Sequence, residues 1–92
     1  MMNKKQYING QKTFEQKGNV LIYFFKDGKI KAQGISMNGI MQGEWKFYRE
    51  TGQLWQVGNF KNNQKHGKWL RYDKQGVLEY EEAFDSGKLV KK

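Results

Sequence analysis

His66 is the single histidine of this chain, which has no cysteine and only Ser36 and Ser86 as serines. Nucleophilic catalysis needs a nucleophile held against a base that a third group orients, and this inventory supplies no such set. His66 precedes Gly67 near an expected hairpin turn and reads as a structural or solvent-exposed side chain. One histidine without thiolates is also too few good ligands for an all-protein zinc site. Glu79, Glu81, Glu82 and Asp85 form the acidic cluster of the chain. Paired carboxylates hydrolyse glycosides or bind calcium when they converge in a cleft or loop. On a strand Glu79 and Glu81 share a face while Glu82 points away, so charge pairing across the sheet, Arg71 with Glu79, is the expectation. The glycines make no phosphate loop, because the Walker spacing is absent and no GxGxxG opens a helix. These residues lead us to expect no enzyme activity, no cofactor and no metal.

Any site must be positioned by a repeat. With a period of 24 residues, Gly43, Trp45, Tyr48, Gly52, Leu54 and Phe60 recur at Gly67, Trp69, Tyr72, Gly76, Leu78 and Phe84 without insertion or deletion. A weaker copy precedes them, with Leu21, Phe24, Gly28, Ile30 and Gly34 at the positions of Trp45, Tyr48, Gly52, Leu54 and Gly58. A unit this short cannot bury its apolar face alone and gains stability from its neighbours. The apolar runs are brief, aromatic and β-branched, with glycine between them, which is the pattern of strands. The expected fold is all-β: an extended antiparallel sheet of stacked hairpins, twisted or partly curled. Residues 1–18 form an N-terminal capping hairpin, and 19–42, 43–66 and 67–92 are three repeats of one domain.

Turn chemistry sets an expected register. Lys26-Asp27-Gly28, Glu50-Thr51-Gly52 and Lys74-Gln75-Gly76 end in the glycine that a three-residue hairpin loop needs at its left-handed last position. The second turn of each unit ends alike, in Gly39, Asn63 and Gly87. A loop at 50–52 sets Tyr48 opposite Leu54, Phe47 opposite Trp55 and Trp45 opposite Val57. The pair Phe47 and Trp55 becomes Arg71 with Glu79 in the last repeat and Tyr23 with Lys31 in the first. A second loop at 61–63 sets Trp55 opposite Trp69. One face then carries Phe24, Ile30, Tyr48, Leu54, Phe60, Tyr72, Leu78 and Phe84, and reads as the structural core. Tyr7 to Phe14 reads as a hairpin on an Asn9-Gly10 turn that caps the first edge. Leu89 and Val90 read as a short last strand, with Lys88, Lys91 and Lys92 protecting that edge from pairing.

The opposite face holds the best functional lead. Trp45, Phe47, Trp55, Val57 and Trp69 combine large apolar area with a basic rim of Lys46, Arg49, Lys65, Lys68 and Arg71, a composition found at interface hot spots and at nucleic-acid stacking platforms. The competing reading is that this is the inner side of a curled sheet. Full burial stabilises each such side chain by about 1.5 to 3 kcal/mol.

Gly43-Glu44-Trp45-Lys46-Phe47-Tyr48, then Gly52-Gln53-Leu54 and Phe60, with Lys65-His66-Gly67-Lys68-Trp69, resembles the MORN repeat, most closely its bacterial variant form. The resemblance covers residues 19–92 and is strongest in the second and third copies. Leu21 departs from the expected tryptophan, Asn63 from the turn glycine, and Ser36 holds the Phe60 position. The resemblance implies stacked hairpins and a role in protein scaffolding. It also implies an antitoxin-type label, with a toxin as partner, and, from some eukaryotic members, binding to acidic phospholipids.

Ninety-two residues leave little room for a deep cleft, and the net charge of +8 is spread along the whole chain. No apolar run has the length of a signal peptide or a membrane span, so a soluble cytoplasmic protein is expected. The leading functional expectation is a non-catalytic module that binds another protein or a second copy of itself, through the aromatic face or an exposed sheet edge. The alternative is an anionic membrane surface read by basic and aromatic side chains. Single-stranded nucleic acid is the weaker third reading.

Overall fold

The computed structural model describes residues 5–90. Its hairpins follow from two kinds of turn. At 26–28, 50–52 and 74–76 the backbone makes the expected three-residue loops. Phe25, Arg49 and Asp73 each accept a hydrogen bond from the loop glycine and donate one to Lys29, Gln53 and Val77 respectively. The closing glycines have φ of +90°, +94° and +82°. The second turns are shorter than expected. Lys61 pairs with Gln64, leaving two turn residues, Asn62 and Asn63, at φ +53° and +69°. Asn38-Gly39 and Ser86-Gly87 repeat this conformation. Two successive left-handed residues make a type I′ turn, whose twist matches that of the flanking strands.

Between these turns run β1 (Phe14–Lys17), β2 (Val20–Phe24), β3 (Ile30–Met37), β4 (Ile40–Tyr48), β5 (Leu54–Lys61), β6 (Gln64–Tyr72), β7 (Leu78–Asp85) and β8 (Lys88–Leu89). Among the described residues they form one open antiparallel sheet in sequence order, without helices. Ahead of β1, Tyr7 and Gln11 close another three-residue loop, 8–10, rather than a two-residue Asn-Gly turn. This hairpin leans on the first repeat: the Tyr7 hydroxyl donates to Phe24 O at 2.7 Å and Asn9 Nδ2 donates to Lys26 O at 3.0 Å.

Bulges alter the expected register. Phe24↔Ile30, Tyr48↔Leu54 and Tyr72↔Leu78 pair as the loops dictate. One residue further, Lys31, Trp55 and Glu79 are extra, so Tyr23 faces Ala32, Phe47 faces Gln56 and Arg71 faces Tyr80. The expected pairs Phe47–Trp55, Arg71–Glu79, Tyr23–Lys31 and Trp45–Val57 are therefore not formed, nor is Trp55–Trp69. A one-residue slip exchanges the faces of the side chains beyond it. A second irregularity per repeat falls at Gly43 and Gly67, left-handed at φ +69° and +71° inside β4 and β6.

These shifts bring each tryptophan onto a glycine. Trp45 pairs with Gly34 on one side and Gly58 on the other, and a methyl group at Gly34 or Gly58 would overlap the rings of Trp45 or Trp69 respectively. Each indole Nε1 donates to the backbone beside that glycine, Trp45 to Ile35 O and Trp69 to Asn59 O, both at 2.9 Å. Phe60 stands edge-on to both rings, 6.0 Å from Trp45 and 5.1 Å from Trp69. Trp45 is 1% exposed and Trp69 5%, so the core lies on this face. The column expected to be the core is only half-buried in Phe24, Ile30, Tyr48 and Leu54, and Leu78 is exposed. Phe60 leaves that column for the tryptophan side. Burying an aromatic side chain stabilises by about 3 kcal/mol, the upper end of the range for large apolar side chains.

Gly58→Ala should destabilise the protein by about 3 kcal/mol, near the upper end of overpacking costs, because its methyl meets a ring held in place by a hydrogen bond. Urea unfolding measures this. A loss below about 0.5 kcal/mol would show that the indole is not seated on the glycine.

Candidate functional site

The five residues expected to form a partner surface do not share one. Trp45 and Trp69 lie in the core, with Phe47 half-buried beside them at ring distances of 6.3 and 5.8 Å. Trp55 occupies the bulge, where the guanidinium groups of Arg49 and Arg71 lie 5.8 and 5.4 Å from its ring. Val57 pairs with Lys46 and Leu70, out of step with the tryptophans and on the other face.

The basic residues are dispersed in the same way. Lys65 Nζ lies 4.7 Å from the Trp69 ring and 5.0 Å from that of Phe84. Arg71 donates to Gln56 Oε1 at 3.2 and 3.1 Å and stacks on Tyr80 at 4.6 Å. Arg49 donates to Tyr72 O at 3.0 Å, and Lys68 meets Glu81 at 3.6 Å. Lys46 sits with Val57 on the far face. Four of the five cations are thus engaged with the protein's own rings, carbonyls or carboxylates.

His66 ties two hairpins together. Its Nδ1 accepts from Ser86 N at 3.1 Å. Twenty-four residues earlier, Gln42 Oε1 accepts from Asn62 N at the same 3.1 Å. Asp85 Oδ1 lies 3.9 Å from the imidazole. No group of three His, Cys, Asp or Glu side chains that could hold a metal ion gathers among the described residues, and Glu79, Glu81 and Glu82 are spread along β7.

The two ends of the sheet differ, and sequence reasoning missed how much. β8 pairs only with Phe84 and Asp85, and Val90 N donates to Ala83 O at 2.8 Å. Residues 78–82 of β7 have no neighbour on that side among the described residues. Since Ala83 turns its carbonyl outward, antiparallel alternation turns the N–H and C=O of Glu81 outward too. Exposed apolar side chains border this edge: Val77 at 60%, Leu78, Tyr80, Leu89 and Val90. Beside the end of β8, Glu81, Glu82, Ala83, Leu89 and Val90 line a notch of about 480 Å³. A signal was available in the sequence: Val77 and Tyr80 replace Gln53 and Gln56 of the preceding repeat. Lys91 and Lys92, expected to guard this edge, lie outside the described residues.

Because Gln42 does in one repeat what His66 does in the next, His66→Gln should leave stability unchanged. His66→Ala should cost about 0.5 to 1 kcal/mol, the worth of one net hydrogen bond. Thermal unfolding of the two variants checks the ranking.

No curated protein and no solved structure matches the chain. Residues 41–62 and 65–86 each match the family model described as MORN repeat variant. These two segments, each carrying a bulge glycine, a buried tryptophan and a three-residue loop, are thus similar to the MORN repeat variant.

Proposed function

We propose that the protein is a non-catalytic module that binds another protein by adding a strand to the open edge of β7. A MORN repeat is a non-catalytic binding module, which supplies the class of function. The observation that carries the reading is the apolar border of the β7 edge, since β1 also has a single partner strand but continues after Phe14 as Glu15, Gln16 and Lys17. A hairpin covers the first repeat, while β7 presents outward backbone groups and exposed apolar side chains over 78–82. Such an edge is a template for β-augmentation, where main-chain hydrogen bonds supply affinity and alternate side chains supply choice. Burial of Trp45 and Trp69 favours this edge over the aromatic face. The internal partners of Arg49, Lys65, Lys68 and Arg71 favour a protein over an anionic membrane surface. A toxin is the partner that the antitoxin-type resemblance suggests, and a scaffolding role would use the same edge.

Proline removes a backbone donor, and at an outward-facing position it leaves the β6–β7 ladder intact. Glu81→Pro should therefore keep stability within about 1 kcal/mol and weaken partner capture or self-association at least about tenfold, with Lys46→Ala as control. Sedimentation and co-purification read the outcome. Unchanged association in a folded Glu81→Pro variant would remove the edge from consideration.

A further inference from the structure

The first repeat differs from the next two at neighbouring positions of the tryptophan face. Leu21 stands where Trp45 and Trp69 stand, and Ser36 where Phe60 and Phe84 stand. In the second repeat these positions hold an edge-to-face pair, Trp45 and Phe60, at 6.0 Å and 89°. In the first repeat both rings are missing, and a groove of about 770 Å³ lies there with Leu21 and Ser36 in its lining. The preceding strand differs as well: Trp45 and Trp69 rest on glycines, whereas the residue facing Leu21 on β1 is Gln16.

The surroundings of the groove indicate what would fit. Phe14 and Tyr23 line it with their rings 6.4 Å apart, and Tyr23 continues to Trp45 at 6.3 Å, so the aromatic series runs up to the gap. The charged residues of the lining are Lys5 and Lys31, with no carboxylate among them.

We propose that this groove receives an aromatic side chain from an acidic protein segment. The incoming ring replaces the missing tryptophan–phenylalanine pair against Phe14 and Tyr23, where tilted and edge-on ring contacts add to apolar burial. Carboxylates flanking that ring meet Lys31, and the charge complementarity selects acidic over basic segments. The groove lies at the end of the sheet away from β7, so the two surfaces stand or fall separately.

The test is a titration of the isotope-labelled full chain with the peptide acetyl-Asp-Glu-Trp-Glu-Asp-amide, followed by NMR. Amide shifts are expected at Leu21, Tyr23 and Ser36. Replacing the peptide tryptophan by alanine, or the acidic residues by lysine, should weaken binding about tenfold. Leu21→Trp, which fills the gap from within, should have the same effect. Lys31→Glu, a charge reversal at an exposed position, decides the matter if Leu21→Trp does not fold. Equal binding by the alanine peptide, unchanged affinity in Lys31→Glu, or shifts confined to β7 would each overturn the proposal. An oligomer dissociated by Leu21→Trp, without peptide binding, would assign the groove to a second copy of the chain and overturn it too.

Discussion

A single-layer sheet has no second layer to hide its apolar face, so its stability depends on how completely large side chains can be laid against their own backbone. Here that is done by indole on glycine. Trp45 on Gly34 and Trp69 on Gly58 lie where no Cβ intervenes, and each ring nitrogen is satisfied by the carbonyl next to the glycine. The arrangement buries apolar area and leaves no unpaired indole donor, the two demands that usually conflict when tryptophan is buried. Much else follows from it. Left-handed Gly43 and Gly67 bend β4 and β6 beside the rings, Phe60 closes the space between them, and Lys65 covers Trp69 from outside.

Neighbouring hairpins are coupled at both turns by bonds that keep the period. Lys29 Nζ donates to Glu50 O, Gln53 Nε2 to Lys74 O, and in the cap Asn9 Nδ2 takes the same part toward Lys26 O. At the opposite turns Gln42 and His66 accept from Asn62 and Ser86. Each unit thus contacts the next through a short fixed set of partners, the quasi-linear arrangement of repeat proteins in which ends matter as much as units. The cap supplies at the first repeat what a preceding repeat would. After β7 that supply stops, and Leu78 is exposed where its counterpart Leu54 is half-buried.

The parts legible in the sequence were the local ones. Glycine at 28, 52 and 76 announced the three-residue loops because few other residues tolerate that φ, and the pairs nearest those loops, such as Tyr48 with Leu54, came with them. The type I′ turns are one residue shorter than the expected loops, because Asn38-Gly39, Asn62-Asn63 and Ser86-Gly87 each place two successive residues in the left-handed region. Of the candidate surface, Trp45, Phe47 and Trp69 share one face, Trp55 occupies a bulge that no single residue type advertises, and Val57 beyond it falls on the opposite face.

By itself the sequence determined the all-β class, the 24-residue unit and the hairpin loops, because backbone preference and period are properties of residues close along the chain. Tertiary structure decided which face is the core and which surfaces remain open. Burial of Trp45 requires Gly34 from another strand, and the groove beside Leu21 requires Ser36 where the next two repeats carry phenylalanine, residues far apart in sequence. Those relations exist only once the bulged register has brought the strands together.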